Sequence, residues 1–350
     1  MATRNLTAVE GLRFLLFLGI FVFHCVSNWL PIGWGGGVEA FLVIGSFFLT
    51  RKYVAQDSTQ IKVGQAFFRR IKRLYPVYIS LVILATLGYV YAKHSLTAEP
   101  LWYLFSVQNF RCLFENATYH FGFLLGHFWY ISLDVWLFLI WVVILRYVPK
   151  KHLKTAFTIS LLVGILWRTL FIIYVPENIS IAYMIPIGMM DSWALGGLVA
   201  MNVEEKGANS KLMWTEIVVG LFGVVFLTVY NAYLHGCGFE ESYQLYRTAS
   251  GYMQNPLTGQ TYFFVALFFV GLLRYCTDAK IKHPILSATP LVALGGMTYE
   301  LYCFHYPVRY AAKHFIHNDV LMVLVALMAT YVVTVLWNKL AMPIFQKIIR

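Results

Sequence analysis

Apolar residues in this chain run in long blocks. Ten of them stand out along the 350 residues, at approximately 12–30, 34–50, 75–92, 121–145, 155–175, 182–200, 212–234, 259–275, 285–308 and 318–340. At about 1.5 Å per residue, most are long enough to cross a bilayer core of roughly 30 Å. The second and eighth are short and are expected to tilt or to run on into their loops. The aromatic stretch from Leu101 to Phe110 is half-length and reads as interfacial or re-entrant. The pattern predicts an all-α, polytopic membrane bundle of about ten transmembrane helices. No linker rich in Pro, Gly or Ser, no repeat and no low-complexity tract interrupts it, so residues 1–350 are expected to form a single transmembrane domain.

Composition narrows this further. Hydrophobic residues make up 59% and charged residues 12%, against roughly 45–50% and about 25% in soluble domains. Too few charges remain to coat a water-facing surface, so the apolar surface must meet lipid. A net charge of +11 would suggest nucleic acid in a soluble protein. Here it sorts by topology: with the N-terminus in the cytoplasm, 21 of the 27 basic residues fall on the inner side, and ten crossings return the C-terminus to that side. The first apolar run lacks a small-residue cleavage site and reads as a retained helix. Five cysteines show no CxxC and no metal-ligand spacing, although Cys112 and Cys237 fall in external loops and could pair. Those loops, about 93–120 and 235–258, are the longest external segments. Asn116-Ala-Thr118 and Asn178-Ile-Ser180 match the glycosylation triplet on the same side.

Ionisable groups inside spans are costly and mark the first places to look for chemistry. Arg13 and His24 are eleven residues apart in the first helix. That is roughly three full turns, so they share one face about 16 Å apart along the axis. Arg13 alone could be a snorkelling topological charge, and His24 alone a helix-packing hydrogen bond. Glu39 enters the second span from the side toward which His24 points; a carboxylate beside an imidazole would fix its tautomer and raise its basicity. Arg70 and Arg73 share a face at the mouth of the third span, where planar guanidinium forks suit phosphate, or simply serve as positive-inside charge. Asp134 follows Trp129 in the fourth span, with His127 just before it. Arg168 is expected to pair with Asp134 or Asp191. Glu300 and His305, five apart near Tyr299, lie on opposite sides of an ideal helix. No HExxH, P-loop, GxGxxG or GxSxG is present, so no metal is expected.

In this order the residues resemble the acyltransferase family 3 of integral membrane proteins. Arg13 and His24 match its Arg-x10-His signature, and Arg70-Ile71-Lys72-Arg73 its Arg-x-x-Arg block. Looser matches at Gly37 to Phe41, Trp129 to Asp134, Leu195 to Leu198 and Met297 to His305 extend the likeness over about 10–307. Asp134 stands where the family more usually has Glu. The resemblance implies an O-acyltransferase in the plasma (inner) membrane of a bacterium. It would take acetyl or a short acyl group from cytosolic acyl-CoA (acetyl-CoA) to a hydroxyl of a cell-surface polysaccharide or lipid-linked glycan, with membrane lipids around it. No permanently bound cofactor is implied, and no nucleic acid. His24 would act as general base assisted by Glu39, or carry the acyl group itself. Arg13, Arg70 and Arg73 would hold CoA phosphates, and Trp129, Asp134, Tyr299 and His305 would contact substrate. The hydrolase-like domain fused to some relatives is expected to have no room here. The rival reading is a non-enzymatic transporter or flippase for a glycolipid or polysaccharide precursor, whose buried charges would line a translocation path.

Overall fold

A computed structural model describes residues 6–26, 37–95, 97–114, 122–206, 209–238, 241, 255–278 and 280–348. Among the described residues the chain is helical and contains no β-strand. That is the expected outcome where lipid offers no hydrogen bonds and each backbone N–H and C=O must be met within its own segment. The long helices are α1 (Thr7–Cys25), α2 (Gly37–Val54), α3 (Val63–Lys93), α4 (Trp129–Tyr147), α5 (Leu153–Tyr174), α6 (Met190–Lys206), α7 (Ser210–His235), α8 (Thr261–Thr277), α9 (Thr298–Phe315) and α10 (Asp319–Leu336). They overlap the ten apolar blocks.

Seven of these elements are long and apolar enough to cross a membrane: α1, α3, α4, α5, α7, α8 and α10. The other three miss for an informative reason. Helices α2 and α9 carry three charged residues each, and α6 is short and opens with Asp191. The helices least suited to lipid are those that bring Glu39, Asp191 and His305 into the bundle, where other helices surround them.

Helix α2 lies along α6, α6 along α5, α7 along α8 and α9 along α10. Small residues set the closest approaches. A Cβ on Gly196 would stand 2.1 Å from the Val43 carbonyl oxygen, so α2 and α6 touch backbone to backbone. The same device fixes α1: a Cβ on Gly11 would meet the Leu286 carbonyl oxygen at 1.9 Å, and one on Gly295 the Glu10 carbonyl oxygen at 2.0 Å. Arg13 and Glu10 are therefore held at a defined height against the short helix Thr289–Gly296.

The structure adds local detail to three readings. Helix α3 begins at Val63, twelve residues before its apolar block, so the arginines lie within the helix and not before it. The stretch from Leu101 to Phe110 folds into two short helical segments, Glu99–Leu104 and Gln108–Leu113, with Tyr103 and Asn109 buried. All five cysteines are free, so Cys112 and Cys237 are not bridged. Of the glycosylation triplets, Asn116 to Thr118 lies outside the described residues. The Asn178 amide instead donates to the Cys112 carbonyl at 2.6 Å. Most of loop 235–258 is likewise outside them.

Candidate active site

A cavity of about 480 Å³ opens among α1, α2, α3, α4 and α9. Its basic wall is Arg13, Lys52, Arg69, Arg70 and Arg73, with Glu10 and Asp134 the acids that face them. Tyr130, Tyr299 and Tyr302 line the apolar interior. Arg13 bonds Glu10 at 2.7 Å, one turn back on its own helix. Arg70 is ion-paired to Asp134 and packs over the Phe138 ring. Arg69, Arg73 and Lys52 have no ion pair among the described residues. Of the two acids expected as partners of Arg168, the structure selects Asp191, while Asp134 pairs with Arg70 in the cavity wall. The Arg168–Asp191 pair is fully buried, with Arg168 also donating to the Gly188 carbonyl and, at 3.2 Å, to Gln260 Oε1.

Beyond Tyr302 lies a cluster of three histidines. His24 Nδ1 and His305 Nε2 are 2.8 Å apart, and His305 Nδ1 lies 2.5 Å from the Tyr302 carbonyl oxygen. A carbonyl only accepts, so His305 carries its proton on Nδ1 and presents a lone pair at Nε2. His24 must then donate from Nδ1, which leaves its Nε2 unprotonated and basic. His24 is partly exposed while His305 and His127 are buried. Only the first ring can therefore meet a ligand without rearrangement.

The third histidine is placed by a proline. Pro307 has no N–H to offer the Cys303 carbonyl four residues back in α9. His127 Nε2 uses that carbonyl at 3.2 Å, which leaves its buried Nδ1 without a partner. The His127 ring is 4.9 Å from that of His305 and stacks on Tyr306 at the same distance. Tyr302 forms the partition: it lines the cavity, lies 5.2 Å from both the His127 and His305 rings, and donates its hydroxyl to the His127 carbonyl at 2.6 Å.

Four of the expected site residues, Arg13, Arg70, Arg73 and Tyr299, line the cavity together with Asp134, and Tyr299 donates to the Leu74 carbonyl at 2.8 Å. His24 and His305 meet in the cluster. Glu39 does not join them. It is 1% exposed, with Oε2 unbonded. The reason is rotational: in the first turn of α2 it is Gly37 that faces α1, where a Cβ would meet Ile20 at 2.5 Å, so Glu39, two residues on, is turned away from α1, and His305 takes the place beside His24. Trp129 also stands apart from the cavity, its ring edge-on to Tyr183 at 5.7 Å. Sequence reasoning missed Lys52 and Arg69 as cavity cations and left His127 and Tyr302 without roles. The one available signal was Pro307, which marks a freed carbonyl at Cys303.

The model of a family described as an acyltransferase domain matches residues 6–338. The chain belongs to the acyltransferase 3 family. It is similar to O-acetyltransferase OatA of Staphylococcus aureus, 22% identical over 331 residues that cover 87% of this chain and 51% of that protein. It is also similar to peptidoglycan O-acetyltransferase OatA of Listeria monocytogenes, 24% identical over 328 residues covering 86% and 49%. A third relative is the putative peptidoglycan O-acetyltransferase YrhL of Bacillus subtilis, 24% identical over 336 residues covering 87% and 49%. The chain thus spans about half the length of the curated relatives it matches. No solved structure matches it.

Proposed function

We propose that this chain is the membrane-embedded unit of an O-acyltransferase, moving acetyl or a short acyl group from acyl-CoA to a hydroxyl of a cell-envelope glycan. The observation that carries the reading is the chain Tyr302 carbonyl, His305, His24, which leaves His24 Nε2 as a base on the far side of Tyr302 from a basic cavity. Family membership supports the acyl chemistry, and the relatives' names support a wall polysaccharide as acceptor.

In this reading the chain sits in a bacterial plasma membrane with both termini, and the cavity, toward the cytosol. The unpaired cations Arg69, Arg73 and Lys52, joined by Arg13, meet the phosphates of the donor, whose thioester arm reaches past Tyr302. The acceptor hydroxyl attacks the thioester carbonyl carbon as His24 Nε2 takes its proton. The C–S bond then breaks, and the departing thiolate takes that proton from His24 to leave as free CoA thiol. Passage through an acyl-imidazole on His24 would conserve the same atoms in two steps.

Membranes bearing the full chain, given labelled acetyl-CoA, test it. Wild-type membranes should label a glycan acceptor, and His24→Ala should not, while it still inserts and binds CoA. Transfer by His24→Ala at the wild-type rate would overturn the proposal.

A further inference from the structure

One cation stands on the other side of the histidines. Along α9, Tyr299 and Tyr302 line the cavity, His305 follows, and Arg309 comes four residues later, about 6 Å farther from the cavity on nearly the same face. Its guanidinium lies over the Tyr306 ring at 5.4 Å, and that ring meets His24 edge-on at 5.2 Å. Arg309 has no ion pair among the described residues, its Nε is buried without a hydrogen-bond partner, and the residue as a whole is partly exposed. The buried arginines among the described residues are all matched, Arg111 by Glu99, Arg168 by Asp191 and Arg274 by Glu216, and the half-buried Arg70 is matched by Asp134.

A semi-buried guanidinium without a counter-ion is costly in a membrane protein unless a ligand supplies the charge. The donor cavity lies on the opposite side of His24 and His305, so a group bound at Arg309 belongs to the acceptor. We infer that Arg309 is a specificity residue that binds a carboxylate on the acceptor sugar, near the hydroxyl presented to His24. A single planar fork matches one carboxylate, accepting two parallel hydrogen bonds. The acceptor class is therefore an acidic sugar of the uronic acid kind. The inference rests on the acyl-transfer reading for its word "acceptor", but the binding site it describes can be tested without transfer.

The full chain in detergent is titrated with methyl glucuronide, methyl glucoside and methyl glucoside 6-phosphate, and binding is followed by ligand-observed NMR. The unmodified protein should prefer the glucuronide to the glucoside. The ratio should fall about 10- to 100-fold in Arg309→Ala, the range of a charge-assisted hydrogen bond, and in part only in Arg309→Lys. Arg309→Gln, which keeps most of the side-chain volume, should follow Arg309→Ala and guards against loss through packing. An unchanged ratio in Arg309→Ala and Arg309→Gln overturns the inference, as does no preference in the unmodified protein or a stronger preference for the phosphate ester. The same sugars offered with labelled acetyl-CoA read the other proposal: Arg309-dependent glucuronide binding without any acetyl transfer would sink the transferase reading and leave this site standing.

Discussion

His24 Nδ1 lies 2.8 Å from His305 Nε2, and that contact leaves His24 Nε2 as the nitrogen with a free lone pair. In the proposed reading His305, buried behind His24, acts by positioning it. His305→Ala should lower kcat for acetyl transfer by about 10²- to 10⁴-fold, the worth of a correctly held general base, with little change in donor KM. His305→Gln offers an amide oxygen to His24 Nδ1 and should recover part of the loss. Steady-state kinetics on membranes from the three proteins checks this, and wild-type kcat in His305→Ala would refute it.

In the proposed reading the cavity's acids compete with the donor for its cations. Asp134 neutralises Arg70, whereas Arg73 lines the same wall as Arg70 and Arg13 without an ion pair among the described residues. Arg73→Ala should therefore weaken CoA binding more than Arg70→Ala, and Asp134→Asn should tighten it by releasing Arg70, by up to about tenfold at low salt. Calorimetric titration of the purified chain with CoA gives the order directly. If Arg70→Ala proves the more damaging, Arg70 leaves Asp134 when the donor enters.

The helices and the two signature pairs were legible because hydrophobic blocks and three-turn spacing are local properties of the sequence. Arg13 and His24 do share a face, one at the cavity and one in the histidine cluster. The partners were not legible. Glu39 and His305 both enter from other helices, and which of them reaches His24 depends on rotations set by contacts such as Gly196 on Val43 and Gly11 on Leu286. Arg168 offered two acids at similar depth, and only packing of α5 on α6 decides for Asp191. Lys52 and Arg69 looked like topological charge because nothing in a linear reading says which basic residues face inward.

The Arg168–Asp191 pair is 0% exposed on both sides, so removing one partner strands a charge in the core. Asp191→Asn or Arg168→Met alone should cost about 3–5 kcal/mol, read as a large fall in the thermal midpoint of the detergent-solubilised protein. Arg168→Met combined with Asp191→Leu replaces both charges by apolar groups of similar size and should regain most of that loss. A double variant no more stable than the singles would mean that the Gly188 and Gln260 contacts, and not charge balance, hold this part of the bundle together.

Cys237 reports on the orientation proposed from the basic residues. It follows the left-handed cap residue Gly236 at the end of α7 and is partly exposed, while the other four cysteines are buried. Thiols sealed in the bundle are slow to meet a charged reagent, so labelling of the native protein should come from this one position. With the N-terminus in the cytoplasm and ten crossings, the end of α7 is outside. A membrane-impermeant maleimide should then label intact cells, and Cys237→Ser should abolish the signal. Labelling that appears only after the membrane is permeabilised would reverse the orientation and, with it, the side from which the basic cavity can be loaded. In the proposed reading the donor is cytosolic acyl-CoA, so that result would also remove Arg13, Arg69 and Arg73 from any role in holding it.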